Sequence, residues 1–270
     1  MILYHYTTPI GLEGIIRTKS IWASDYRFLN DATEFNYGLA VFDRILSSSF
    51  GTLCDPDVIE TISTLRQAAT ASDFSVLIAS FCKHPDLLSQ WKGYNNAVGY
   101  AIGINDDWLS QNADEQGFRL FPVRYDVGEQ EHLVRERIGL LNALIAEGAG
   151  SRTTWEITRE WWAQMLLTIT ALKSEHFREE DEFRMVKAKL GWPAGIRTRA
   201  TRQGLVPYQQ VRLDARTINH PLLHPNNAGL ESVVIGPALA AQQQAAVDAL
   251  LASQHMRVKI IKSTIPFLPR

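Results

Sequence analysis

The sequence predicts one domain of the α+β class, in which mixed, mostly antiparallel sheets are flanked by helices. Three observations carry this prediction. The 270 residues are 46% hydrophobic and 10% aromatic, which suits a globular chain with a substantial core. Predicted strands do not alternate regularly with predicted helices, which argues against a doubly wound parallel sheet. The chain contains neither an internal repeat nor a low-complexity tract.

The predicted strands follow apolar or alternating runs. The run 74–82 is rich in β-forming residues and ends before His84-Pro85, which predicts a buried strand. Residues 182–189 alternate, with Phe183 and Met185 on one face and Glu182 and Arg184 on the other. In chain order, the predicted strands are 2–6, 21–24, 74–82, 98–104, 118–125, 182–189, 206–213, 233–235 and 256–262.

The predicted helices follow capping residues and apolar spacings of three and four. Thr8 caps the first helix and Pro9 suits its first turn, while Asp31 with Glu34 forms a reciprocal capping pair. The helices are predicted at 9–19, from 31 onwards, and at 55–71, 87–94, 131–147, 154–172 and 238–253. Residues 190–204, rich in glycine and arginine, are predicted to form a mobile loop within the single domain 1–270.

Charge and cysteine content exclude several classes of protein. The formal net charge is -2, which indicates neither a polybasic surface nor an acidic tail, although an enzyme can still grip a short single strand. The two cysteines, Cys54 and Cys82, rule out a multi-disulfide framework. The sequence has no apolar stretch that spans a bilayer and no signal-peptide pattern. We therefore expect a cytoplasmic protein without a membrane partner.

The first candidate site segment is His5-Tyr6-Thr7, at the end of a strand and the start of a helix. The N–H groups and partial positive charge of a helix start suit an anion or a polar ribose. His5 can hydrogen-bond hydroxyl groups, and Tyr6 can stack on a flat ring. In the alternative interpretation Tyr6 packs in the core and His5 bonds a carbonyl group.

The second candidate segment supplies Arg27 and Asn30 as ligand contacts. The two acidic residues that follow it, Asp31 and Glu34, are explained by helix capping.

The third candidate segment combines a strand end with a polar-aromatic turn. Ser80 can line a pocket, Gln90 can hydrogen-bond an amide or a base, and Tyr94 and Tyr100 offer ring faces for stacking. Trp91 is expected in the core, and a core position is also the alternative for Tyr100.

The fourth candidate segment contains Glu180, Glu182 and Arg184, which share one face where the chain enters a strand. A carboxylate fixed on a strand can orient a sugar hydroxyl and stabilise positive charge on a ribose ring. A run of acidic residues is otherwise typical of a solvated loop.

Motifs of other chemistries are missing from the sequence. It contains no Gly-x-Gly-x-x-Gly, no phosphate loop, no His-Glu-x-x-His and no Gly-x-Ser-x-Gly. His220 and His224 are separated by Pro221, which argues against two ligands on one helix face. We expect no metal site.

Taken as a set, these segments resemble a bacterial domain-of-unknown-function family numbered two-nine-seven-one. The resemblance extends from residue 3 to residue 262. The residues that carry it are Tyr4-His5-Tyr6-Thr7, 12–16, 21–24, Asn30-Asp31 with Glu34, 80–82, Leu88-Ser89-Gln90-Trp91 with Tyr94 and Gly99, Glu182-Phe183-Arg184, and 234–237.

The layout of that family is similar to that of ADP-ribosyltransferases, which implies their fold and NAD as the substrate. The resemblance places His5 at the NAD ribose, Tyr94 or Tyr100 against the nicotinamide, and Glu182 as the catalytic glutamate, with Glu180 as its competitor. Arg27 or Arg184 would balance the pyrophosphate. A protein or nucleic-acid acceptor and a role as a toxin or phage-defence effector are implied by the resemblance alone.

Two other classes compete with this prediction. A non-catalytic nucleotide-binding or protein-interaction domain would keep the fold without the reaction. A phosphoester-processing enzyme would need several basic residues at the site. The enzyme prediction requires His5 and Glu182 to converge within one pocket.

Overall fold

A computed structural model describes residues 1–29, 33–49, 56–70, 74–93, 98–148, 150–201, 204–215 and 225–266. Within these residues, ten strands form one sheet. They are β1 Ile2–Thr7, β2 Ser20–Asp25, β3 Phe74–Cys82, β4 Tyr100–Asn105, β5 Arg119–Pro122, β6 Glu182–Leu190, β7 Arg197–Thr201, β8 Gly204–Arg212, β9 Leu230–Ile235 and β10 Lys259–Lys262.

The helices lie on both faces of this sheet. They are α1 Pro9–Thr18, α2 Thr33–Ser49, α3 Pro56–Thr70, α4 Leu88–Gly93, α5 Asp106–Asp114, α6 Val127–Gly148, α7 Thr154–Thr170 and α8 Gln243–Ser253. Three short 3₁₀ helices cover Tyr26–Phe28, Glu175–Glu180 and Pro225–Asn227. The predicted α+β class is confirmed.

The strand order is β10-β9-β4-β1-β3-β2-β8-β7, with β6 paired to β3 and β5 paired to β6. The pair β10–β9 is parallel, and the other strand pairs of the described residues are antiparallel. The sheet is therefore mixed and mostly antiparallel, as predicted.

The centre of the sheet is split beside β3. One edge of β3 pairs with β6 along its whole length, from Phe74 to Cys82. The other edge is shared, because Cys82 pairs with Tyr4 of β1 whereas Leu77 and Ile78 pair with β2. β1 and β2 therefore diverge beside residues 79–81, and this split separates the two halves of the sheet.

Each face of the sheet has its own hydrophobic core. One core packs α1, α5 and α8 against residues such as Leu3, Leu77 and Met185. The other packs α2, α3, α6 and α7 against residues such as Val76 and Val186. The alternation predicted for β6 is confirmed, since Met185 and Val186 belong to opposite cores.

Two elements were missed by the sequence prediction. The helix α5 begins after Asn105, whose side chain accepts a hydrogen bond from Trp108 N, but its polar composition gives a weak apolar signal. The strand β7 lies inside the segment predicted as a mobile loop. Its residues are mostly exposed and it is defined by backbone pairing with β8, so no burial pattern marks it. The predicted capping residue Asp31 lies outside the described residues.

Candidate functional site

Three neighbouring strands bring polar residues to one face of the sheet. Residues directly opposite each other in an antiparallel pair point to the same face. Tyr4, Cys82 and Glu182 are opposite one another in this way, and so are Ser80 and Arg184. The predicted site residues Ser80, Glu182 and Arg184 therefore share the face that carries α2 and α7.

Five charged residues form a compact group on this face, which we call the carboxylate cluster. Its members are Glu34, Lys173, Glu180, Glu182 and Arg184. Lys173 Nζ lies 2.9 Å from Glu34 Oε1, 2.6 Å from Glu180 Oε2 and 2.9 Å from Glu182 Oε2. Arg184 Nε donates to Glu182 Oε1 at 2.8 Å, and Arg184 Nη2 donates to Glu34.

Local structure fixes each member of the cluster. Lys173 follows the end of α7, and Arg184 Nη1 donates to Thr170 O at 2.8 Å, which satisfies a free carbonyl group of the helix end. Glu180 ends a 3₁₀ helix, and Asp181, with φ 40°, turns the chain into β6. The cluster is thus built where α7 and β6 meet.

The two glutamates of the fourth candidate segment differ in their surroundings. Burial alone would raise the pKa of Glu182, but the charges of Arg184 and Lys173 and their hydrogen bonds outweigh burial and lower the pKa to about 2. Ser80, opposite Arg184 on the neighbouring strand, also lowers the pKa of Glu182. Burial raises the pKa of Glu180, and the contact with Lys173 offsets this only in part. Glu182 is held as a carboxylate, whereas Glu180 is closer to accepting a proton.

Partial exposure together with an unbonded oxygen distinguishes Glu180 within the cluster, because Glu34 is 19% exposed but both of its oxygens contact cations. Three carboxylates face two cations, so one negative charge is not balanced inside the group. The Glu182 side chain is only 7% exposed and both of its oxygens are bonded, while the Glu180 side chain is 18% exposed. Glu180 Oε1 has no hydrogen-bond partner among the described residues. Of the two glutamates, Glu180 is the one available to a ligand.

His5 does not belong to this group. Side chains alternate along β1, so His5 points to the face opposite to that of Tyr4 and Glu182. Its ring centroid lies 5.5 Å from that of Phe81, in the core under α1, and its Nδ1 lies 2.9 Å from Ser80 O. The expectation that His5 and Glu182 converge is wrong. The alternative interpretation, in which His5 bonds a carbonyl group, is confirmed.

Tyr6 and Thr7 have structural contacts instead of open faces. The Tyr6 hydroxyl donates to His84 O at 2.9 Å and accepts from Leu87 N at 3.0 Å, and its ring meets Trp91 edge-on. Thr7 is buried at the end of β1. Trp91 is fully buried, as predicted. These contacts hold the loop after β3 and leave no stacking surface on Tyr6.

The remaining predicted residues are dispersed. Arg27 is held by Asp25, with Nε 2.7 Å from its Oδ1, and Tyr100 donates to Gln243 Oε1 at 2.7 Å in a groove between α1 and α8. Gln90 lies partly exposed on α4. Asn30 and Tyr94 lie outside the described residues. Neither Arg27 nor Tyr100 reaches the carboxylate cluster through a described contact.

Sequence reasoning missed two members of the cluster. Glu34 was assigned to helix capping, yet its carboxylate contacts Lys173 and Arg184 across 139 and 150 residues of sequence. Lys173 was not considered. A lysine just after a long predicted helix, six residues before an acidic run, was the available signal. Within the described residues, no group of three or more His, Cys, Asp or Glu side chains is arranged to hold a metal ion.

Comparison with known proteins adds one match. A family model described as "Protein of unknown function (DUF2971)" matches residues 90–185. This is the family numbered two-nine-seven-one that the sequence resembles. The match supports the family prediction over residues 90–185. The DUF2971 match covers Lys173, Glu180, Glu182 and Arg184, whereas His5, Glu34 and Ser80 lie before it.

No curated protein and no solved structure matches the chain. An ADP-ribosyltransferase-like fold therefore has no support from a structural neighbour. Among the described residues, the helices are all too short or too polar to cross a membrane.

Proposed function

We propose that this chain cleaves the glycosidic bond of NAD at the carboxylate cluster and transfers ADP-ribose to an acceptor, with Glu180 in place of the pair His5 and Glu182 that the sequence predicted. The observation that carries the proposal is the state of Glu180. It is a partly exposed carboxylate with a raised pKa and one unbonded oxygen, beside a fixed ion-pair network. Perturbed carboxylates in such surroundings are typical of functional sites.

The cluster suits the charge changes of this reaction. The bond between ribose C1′ and the nicotinamide nitrogen breaks, and its electron pair leaves with neutral nicotinamide. Positive charge develops on the ribose ring, which the unbalanced negative charge of the cluster stabilises. The acceptor's nucleophilic atom bonds to C1′ and loses its proton to Glu180, whose raised pKa makes it a better base than an ordinary carboxylate.

The roles of Glu182 and Arg184 change accordingly. Both oxygens of Glu182 are bonded to cations, so Glu182 positions Lys173 and Arg184 and does not contact the ribose. The acceptor, whether protein, nucleic acid or water, is part of the proposal, and so is a toxin or phage-defence role.

A second candidate function is NAD binding without turnover. Two observations favour it: His5 lies on the opposite face of the sheet, and the charge of Glu182 is neutralised by its cation partners. Neither of the residues that the resemblance assigned to the reaction is then available to contact NAD at the cluster. The nucleotide would bind at the cluster and stay intact.

One experiment separates the two candidates. Purified protein is incubated with NAD, nicotinamide release is followed by chromatography, and NAD binding is measured by calorimetry. Glu180→Gln should lower release by roughly 100-fold, the low end of what a general base contributes. Glu179→Gln, which removes the neighbouring exposed charge, is the matched control and should keep full activity. Binding without release supports the second candidate, and the absence of both refutes the two together.

A further inference from the structure

A second group of side chains lies on β2, β7 and β8. Arg199 of β7 sits over two aromatic rings, with its Cζ 5.4 Å from the Trp22 centroid and 5.9 Å from the Tyr208 centroid. The two rings are themselves in contact, with centroids 4.7 Å apart. Arg199 Nη2 donates to Ser24 Oγ at 3.1 Å. The guanidinium is therefore fixed in position on an aromatic platform.

The charge of Arg199 is not balanced by a carboxylate. Its contacts with the described residues are to Ser24 and the two rings, and none is to an acidic side chain. Burial lowers the pKa of Arg199, which reflects the uncompensated cost of holding this cation partly out of water. Arg27 shows the contrast, since it also lies over a ring but is paired with Asp25.

Two further hydrogen-bond donors, Trp22 Nε1 and Arg197, share this face of the sheet with Arg199. Trp22 Nε1 is buried and has no hydrogen-bond partner among the described residues. Arg197 is directly opposite Tyr208, so its side chain points to the same face as Arg199. The two arginines are two residues apart on β7, which places them roughly 7 Å from each other along the strand. Two cations on one face suit a ligand with several anionic oxygens.

We infer that Arg199, with Arg197, binds the phosphate group of a nucleotide or of a nucleic-acid strand. A guanidinium presents a planar set of donors that matches phosphate oxygens, and this one is already ordered by its aromatic platform. The edge position of β7 leaves the arginines open to solvent on one side. The inference does not depend on NAD cleavage, because no contact among the described residues joins Arg199 to the carboxylate cluster.

The test measures binding of pyrophosphate, adenosine monophosphate and a short single-stranded DNA by calorimetry at low salt. The Arg199→Gln variant should weaken binding of the phosphate probes by about tenfold or more, as expected for a charge-assisted hydrogen bond. Arg197→Gln should weaken it less, and because Arg197 is exposed this variant keeps the fold intact. Arg17→Gln removes the same charge from α1 and should leave the affinity unchanged.

The probes also distinguish the source of the phosphate. Tighter, strongly salt-dependent binding of the DNA assigns the site to a strand, whereas equal binding of the mononucleotide assigns it to a free nucleotide. Failure of wild-type protein to bind any probe would overturn the inference. Binding that survives both Arg199→Gln and Arg197→Gln would overturn it as well.

Discussion

Lys173 Nζ lies 2.9 Å from Glu182 Oε2, which joins the segment that follows α7 to the first residue of β6. The same ammonium contacts Glu34 on α2, so one cation connects three elements on this face of the sheet. The Lys173 side chain is only 5% exposed. A buried cation destabilises the fold if its carboxylate partners are removed, and a buried carboxylate destabilises it if its cation is removed.

Replacing Lys173 with methionine should destabilise the fold strongly. The variant keeps the length and apolar stem of the side chain but leaves Glu182 and Glu180 with one cation fewer. Breaking a buried ion pair from one side costs about 3–5 kcal/mol. Urea unfolding gives the change in the free energy of unfolding. Lys92→Met, at an exposed position of α4, is the control and should change stability by less than about 0.5 kcal/mol. Equal effects of the two substitutions would contradict a buried network.

The glutamine variants of Glu182 and Glu180 should respond to pH in opposite directions. Folding lowers the pKa of Glu182 from its ordinary 4.5 to about 2, so its stabilisation is present above pH 4.5 and is lost as the pH falls toward 2. By linkage this contribution is of the order of 3 kcal/mol. Glu182→Gln should therefore be most destabilised near neutral pH, and the difference from wild type should shrink on acidification.

The contribution of Glu180 to stability changes with pH in the opposite direction to that of Glu182. Its pKa is raised in the folded state, so its contribution is present at low pH and is lost as the pH rises through the folded pKa. The Glu180→Gln variant has no carboxyl group to ionise at this position, so this loss of stability does not occur in it. Its free energy of unfolding should therefore rise relative to that of wild type as the pH rises. Urea unfolding at about pH 3, 5 and 7 tests both variants. Parallel pH profiles of the two variants would show that the glutamates do not differ as described.

The sequence predicted the site only where local pattern decides position. Glu182 and Arg184 were placed on one face because strand residues alternate, and β6 pairs along the whole of β3 as that pattern requires. The strand 74–82 was located to the residue, since a continuous apolar run between polar boundaries has few other solutions.

Contacts between residues far apart in the sequence could not be predicted from local sequence patterns. Glu34 lies in a segment that also fits a helix start, and its contact with Arg184 depends on how α2 packs against α7. His5 was grouped with Glu182 because the resemblance to ADP-ribosyltransferases assigns both to NAD, but the face of each is set by the register Tyr4 to Cys82 to Glu182. A shift of one residue in that register would exchange the faces.

His5 should be neutral and carry its proton on Nδ1. Burial lowers its pKa, the hydrogen bond to Ser80 offsets this in part, and the Arg199 charge lowers it further. A carbonyl oxygen only accepts hydrogen bonds, so Nδ1 must donate to Ser80 O. Nitrogen-15 NMR of the imidazoles, assigned with a His5→Phe variant, should show the Nδ1-protonated form and a pKa below 6.5. The Nε2-protonated form would contradict the hydrogen bond.

A glycine sets how closely α2 approaches α7, and so where Glu34 lies. A Cβ atom at Gly38 would come within 2.4 Å of Ile169 O and 2.9 Å of Ile169 Cγ2, and the carbonyl group belongs to a helix that cannot move freely. Gly38→Ala should therefore destabilise the protein by about 1–3 kcal/mol, the usual cost of overpacking. Gly139→Ala is the matched control, because a Cβ atom there meets nothing within 4 Å on the exposed side of α6.

The control variant Gly139→Ala should stabilise the protein, whereas Gly38→Ala should destabilise it. Alanine is favoured over glycine in a helix interior by roughly 1 kcal/mol, so Gly139→Ala should raise the free energy of unfolding. Because Gly38→Ala pushes α2 away from α7, it should also loosen the contact of Glu34 with Lys173 and reduce the stability lost on Lys173→Met. A double-mutant cycle between positions 38 and 173 measures that coupling. Strict additivity would mean that α2 can shift without moving Glu34, and the close approach at Gly38 would then be unrelated to the cluster.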